Sequence, residues 1–224
     1  MWGFRRAMND ADYARERNRM VTDQITARGV SAERVLDVMR TVPRHRFIPA
    51  ESRMHAYEDH PIRIGCGQTI SQPYMVALMT ELLALRPEDR VLEVGTGSGY
   101  QAAILAELAA EVITVERNEE LAERARVCLE RLGYENVTVV VGDGTMGWPG
   151  GAPYDAILVT AAGPNTPASL KNQLRVGGRL VCPTGPRDVQ QLVTVIRTGE
   201  GFHQEIGIAC VFVPLLGEEG WKEE

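Results

Sequence analysis

The sequence has little cysteine, and what it has is dispersed. Cys66, Cys128, Cys182 and Cys210 form no C-x-x-C pair. That argues against a zinc ribbon or a disulfide framework and predicts reduced, mostly buried thiols in a cytoplasmic protein. Histidine is equally sparse. His45, His55, His60 and His203 show no helical metal-ligand spacing, so no metal role is expected. No apolar run approaches the ~18 residues that a spanning helix requires, so no membrane association is expected. The opening residues, Met1 to Arg6, are basic but lead into Asn9, Asp10 and Asp12 with no apolar stretch. No secretory signal is expected from such a start. Positive charge is not in excess either: Lys and Arg total 24 against 30 Asp and Glu, a net −6. That balance argues against a nucleic-acid surface, which needs a basic stripe. A G-x-S-x-G elbow and a Ser-His-Asp order are both absent, so covalent acyl chemistry has no anchor. There is no internal repeat and no low-complexity segment.

What remains suits a globular enzyme. The chain has 224 residues, 44% of them apolar and 24% charged, as expected of one soluble domain. Residues 16–217 read as that domain. Residues 1–15 read as a polar N-terminal extension, poorly ordered, with a frayed or extra turn. Met20, Val21 and Ile25 fit a helix face ended by Gly29. Ser31 reads as the cap of a second helix that Pro43 ends. Residues 43–72 show little periodicity. A loop that long is usually functional.

From Pro73 onward the pattern alternates. A helix opens at Pro73, and strands are predicted at 90–94, 111–115, 137–141, 154–160 and 177–182 with helices between. Near-continuous Val and Ile runs mark strands covered on both faces. Alternating βα units predict an α/β fold with a doubly wound, mostly parallel sheet. Gln190 to Thr198 and Ile206 to Val213 lack an intervening helix, which predicts a C-terminal antiparallel hairpin at one sheet edge.

The chemistry should lie outside the C-terminal ends of the strands. The first strand runs into Glu93-Val94-Gly95-Thr96-Gly97-Ser98-Gly99. Glycines there let a ligand lie against the backbone, and helix-start N–H groups face it. The G-x-G-x-G spacing departs from the dinucleotide G-x-G-x-x-G and favours a nucleoside without phosphates, such as S-adenosylmethionine. The second strand ends in Glu116, 21 positions after Gly95, where an acid would accept from ribose hydroxyls. Its bland reading is a charge at a helix N-terminus. The third ends in Gly142-Asp143-Gly144, where a carboxylate could accept from an adenine amino group. Its bland reading is a plain turn. Thr69 and Ser71, just before the Pro73 helix, read on their own as caps of that helix.

Taken together, these segments resemble the protein-L-isoaspartate (D-aspartate) O-methyltransferase family. The likeness runs from about Met20 to Leu216. It is carried by Val42-Pro43-Arg44-His45, Ala56-Tyr57-Glu58-Asp59, the Gly67 to Pro73 loop, Leu92 to Tyr100, Gly142-Asp143-Gly144 and Phe212-Val213-Pro214-Leu215. The resemblance implies S-adenosyl-L-methionine as cofactor and isoaspartyl-containing proteins and peptides as substrates. It puts Ser71 at the catalytic position and Thr69 and Ile70 on the cofactor-covering loop. Gly95, Gly97, Glu116, Asp143 and Gly144 fall at the cofactor, and Val213 on the substrate side. It also implies a monomer. Three rivals stand beside it: a methyltransferase for another acceptor, although the N/D-P-P-Y motif is absent; a nicotinamide-linked oxidoreductase, against which the G-x-G-x-G spacing speaks; and a cofactor-binding or interaction module with no catalysis.

Overall fold

The structure is a computed structural model that describes residues 8–222. Its helices are α1 (Asp10–Arg19), α2 (Glu33–Thr41), α3 (Pro73–Leu83), α4 (Tyr100–Ala106), α5 (Glu119–Arg131) and α6 (Ala168–Asn172). Its strands are β1 (Ile62–Gly65), β2 (Gln68–Ile70), β3 (Arg90–Val94), β4 (Glu111–Glu116), β5 (Val137–Val141), β6 (Tyr154–Val159), β7 (Leu174–Thr184), β8 (Gln190–Arg197) and β9 (Phe202–Cys210).

Seven strands form one sheet in the order β5-β4-β3-β6-β7-β8-β9. The pairs β3–β4, β4–β5, β3–β6 and β6–β7 are parallel, while β7–β8 and β8–β9 are antiparallel. The chain thus winds outward from β3 to β5, then returns to β6 on the other side of β3. That reversal opens a crevice at the C-terminal ends of β3, β4 and β6. The central strands are apolar on both faces because helices cover both. Val91, Leu92, Val112, Ile157, Leu158 and Val159 are all fully buried.

The N-terminal region differs from the sequence expectation. Residues 1–7 lie outside the described residues. From Asp10 the chain is helical rather than frayed, and Asn9 and Asp12 form a reciprocal capping box. No residue of α1 is buried, so periodicity carries no sign of it. It is tied down instead by Tyr13, whose ring stacks on His45 at 3.9 Å and 5°. Met20 to Ile25 continue as a π turn with Met20, Val21 and Ile25 buried, and Gly29 is left-handed at φ 95°. Ser31 does not cap α2. The backbone N–H groups of Ser31 and Ala32 both donate to Oε1 of Glu81 on α3, each at 2.7 Å. The capping acid comes from 50 residues away.

The stretch before α3 is also more ordered than its sequence suggests. β1 and β2 pair as a hairpin, Ile62 with Ile70 and Arg63 with Thr69, around a Gly65-Cys66-Gly67 turn with positive φ throughout.

Candidate active site

The glycine turn connects β3 to α4. Gly95 has φ 96°, and a Cβ there would fall 2.3 Å from Thr160 Oγ1. Only glycine fits. The Thr160 hydroxyl uses that space to donate to the Gly95 carbonyl at 2.6 Å, which ties the end of β6 to the turn. Gly144 meets a different limit: a Cβ would lie 2.5 Å from Val94 Cγ1.

Glu116 ends β4 and is buried. Its Oε2 accepts from the Gly97 N–H at 2.9 Å, and its Oε1 from the Asn118 N–H at 3.0 Å. Each oxygen keeps a further lone-pair direction. Glu93 lies one strand-turn below. It is fully buried, and one oxygen accepts from the Thr114 hydroxyl, which is itself 2.6 Å from that of Thr96. Its Oε1 has no partner. Burial pushes its pKa up to about 8, so it is mostly protonated at neutral pH.

The β1–β2 hairpin lies over this turn. A Cβ on Gly97 would sit 3.5 Å from Ile64 Cδ1. Thr69 and Ser71 do not cap α3: Gln72 is its N-cap with no side-chain bond, and the Tyr74 N–H donates to Asp59 Oδ1 at 3.4 Å. The Ser71 carbonyl accepts from Arg44 Nη2 at 2.8 Å. On the opposite side, Ala162 N–H donates to the Val213 carbonyl and Leu215 N–H to the Ala162 carbonyl, both at 2.8 Å. These bonds hold the Val213 segment against the end of β6.

These elements enclose one cleft of about 930 Å³, open mouth included. Thr69, Ile70, Ser71, Gly95, Gly97, Glu116, Gly144 and Val213 all line it. Asp143 is not among the lining residues, although its neighbour Gly144 is. Its carboxylate is turned to the C-terminal segment and to its own turn. It accepts from the Glu218 N–H at 2.7 Å, the Thr145 N–H at 2.9 Å and the Thr145 hydroxyl at 2.7 Å. Those bonds hold its pKa below the usual carboxylate range, against the opposing effect of burial. Val76, Met79, Gln101, Arg117, Thr160 and Leu215 also line the cleft, and sequence reading assigned none of them. Val76 and Met79 look like ordinary core on α3. Gln101 was the one visible sign, a polar side chain in an otherwise apolar helix. Among the described residues, no group of His, Cys, Asp and Glu is placed to hold a metal.

The profile of the protein-L-isoaspartate(D-aspartate) O-methyltransferase family matches residues 15–220. The chain belongs to that family. The match extends across the hairpin, the glycine turn and the Val213 segment alike. Among the family's curated members, the protein-L-isoaspartate O-methyltransferase of Methanoculleus marisnigri is 58% identical over 211 residues, covering 94% of this chain and 96% of its own. That of Roseiflexus castenholzii is 54% identical over 213 residues, covering 95% and 97%. A solved protein-L-isoaspartate O-methyltransferase superposes with a TM-score of 0.83 at 30% identity, covering 91% of this chain and 67% of that one. A Plasmodium falciparum structure crystallised with S-adenosyl-L-homocysteine gives 0.78 at 24% identity over 89% and 98%. At that identity it speaks for the fold alone.

Proposed function

We propose that this chain transfers a methyl group from S-adenosyl-L-methionine to the free carboxylate of L-isoaspartyl, and D-aspartyl, residues in damaged proteins. The observation that carries the reading is the single cleft that Glu116 and Ser71 both line, in a chain of this family. The residues present fit the donor. Glu116 offers acceptor capacity for vicinal ribose hydroxyls, and Val94, Val115 and Leu215 offer an apolar wall. When bound, S-adenosyl-L-methionine supplies a methyl group activated by a sulfonium.

The chain's own residues then have modest tasks. The acceptor is an α-type carboxyl with a pKa of ~3.5, already ionised at pH 7, so no general base is required. Ser71 donates its hydroxyl to one carboxylate oxygen and fixes the direction of attack; it is not a nucleophile. The apolar wall excludes water, which favours a step in which opposite charges neutralise. Alignment of the reacting atoms at roughly 3–3.5 Å is the main catalytic effect. The methyl ester then leaves the enzyme; the neighbouring backbone amide nitrogen attacks the ester carbonyl, loses its proton and expels methanol, and the resulting succinimide starts repair. We further propose that the protein works as a cytoplasmic monomer, with no nucleic-acid or membrane partner. No helix of the described residues is long and apolar enough to cross a membrane.

The test is methyl transfer from labelled donor to an isoaspartyl peptide and to its aspartyl twin. Label on the isoaspartyl peptide alone is expected. Equal labelling of both, or transfer to a nucleic acid or small metabolite instead, overturns the reading. Ser71→Ala should lower turnover about tenfold or more, as loss of a hydrogen bond to a charged group does. Turnover within twofold of wild type removes Ser71 from the mechanism.

A further inference from the structure

The region before β1 buries a cation that forms no direct ion pair with a carboxylate among the described residues, although Asp59 acts on it from a distance. Arg44 opens the 3-10 turn after Pro43 and is 0% exposed. Its Nε donates to the Ala56 carbonyl at 2.8 Å and its Nη2 to the Ser71 carbonyl at 2.8 Å. Its Nη1 is buried with no partner. The guanidinium carbon lies 5.0 Å from the ring centroid of Tyr100, and Tyr100 lines the cleft at the start of α4. Phe47, three residues on, meets the same ring edge-on at 5.5 Å. Burial lowers the Arg44 pKa to about 10, which still leaves the group charged at neutral pH.

A buried charge without a directly paired counter-ion is unfavourable for folding. A methionine or leucine would fill the same space with no such penalty. What an arginine alone supplies is a rigid fork that holds two backbone carbonyls at a fixed angle while its flat face rests on an aromatic ring. Those three anchors join the Ala56 turn, the Ser71 loop and the first residue after the glycine turn. The fork therefore sets where Ser71 stands relative to the cofactor end of the cleft.

We infer that Arg44 is a positioning residue for the methyl-transfer step: it fixes the Ser71 loop through the Ser71 carbonyl. The inference rests on the proposed role of Ser71. The test compares Arg44→Lys, Ser71→Ala and the double variant in the full chain. Lysine keeps the charge but cannot hold both carbonyls in one plane. A misplacement of about 1 Å can lower turnover about a hundredfold, so Arg44→Lys should lower kcat/KM for the isoaspartyl peptide by one to two orders of magnitude. Affinity for S-adenosyl-L-homocysteine, read by calorimetry, should stay within twofold. In the Ser71→Ala background the same substitution should add little. Hydrogen exchange should rise at residues 68–72 and stay unchanged in β3.

Arg44→Lys within twofold of wild type overturns the inference. So does full additivity with Ser71→Ala, or a variant that fails to fold, loses cofactor affinity or exchanges faster across β3. Any of these assigns Arg44 to the core rather than to the acceptor loop. If Ser71→Ala is itself silent while Arg44→Lys is impaired, it is the Ser71 assignment that fails.

Discussion

Replacing Glu116 by glutamine removes one acceptor oxygen while keeping size and shape. In the structure the two oxygens accept from Gly97 N–H at 2.9 Å and Asn118 N–H at 3.0 Å. An amide can satisfy one of these and presents its own N–H to the other. The same loss is felt by the ligand, because only one ribose hydroxyl keeps its acceptor. A hydrogen bond to a charged group is worth ~1.5–3 kcal/mol, which corresponds to roughly 10–150-fold in affinity. Calorimetric titration with S-adenosyl-L-homocysteine should therefore show Kd raised by one to two orders of magnitude. A 2′-deoxyribose analogue should already be weakened in wild type and lose less on the substitution. Unchanged affinity for the ribose ligand would refute the reasoning, as would equal losses for the two ligands, which would mean that the turn had merely been distorted.

Substitutions at Glu93, Gly95 and Glu81, with controls at Thr160 and Ser31, test parts of the same framework. Glu93 has a folded pKa of about 8 against an ordinary 4.5. Between those values folding takes up a proton, so stability falls as pH rises, by ~1.4 kcal/mol per unit. Glu93→Gln removes this slope, and chemical denaturation should show wild type losing about 3–4 kcal/mol relative to the variant from pH 5 to pH 8; parallel pH curves would contradict a buried, protonated Glu93. Gly95→Ala forces a Cβ to 2.3 Å from Thr160 Oγ1 at φ 96°. It should cost at least ~1–3 kcal/mol from the backbone alone, partly restored by Thr160→Ala, and an unchanged Tm would rule this account out. Glu81→Ala frees two N–H groups at the start of α2 and should cost ~1.5–3 kcal/mol, whereas Ser31→Ala should be nearly neutral; the reverse order in thermal melts would restore Ser31 as the cap.

The sheet was legible because its determinants are local. Val137 to Val141 and Tyr154 to Val159 are strands by composition and by the turns that flank them. The ends of β3 and β4 could be read as a shared location as well, since the residue types and spacing of Gly95 and Glu116 pointed to one place and both line one cleft. What could not be read depends on groups far apart in the chain. Glu81 caps a helix 50 residues before it. The α1 helix has no buried residue to give a period and is held by a ring stacked on His45. The β1–β2 hairpin is short, and a non-glycine residue, Cys66, takes φ 50° at its tip. Asp143 accepts from the N–H of Glu218, 75 positions on, which no local pattern reports. Val76 and Met79 sit on a helix whose cleft-facing side is set only by packing.

The most direct test of the account is a crystal structure with S-adenosyl-L-homocysteine and an isoaspartyl peptide bound together. The account predicts the ribose hydroxyls on Glu116, the thioether sulfur pointing along the cleft, and the acceptor carboxylate hydrogen-bonded to the Ser71 hydroxyl on the methyl side. A nucleoside seated elsewhere, or a carboxylate bound away from Ser71, would contradict it.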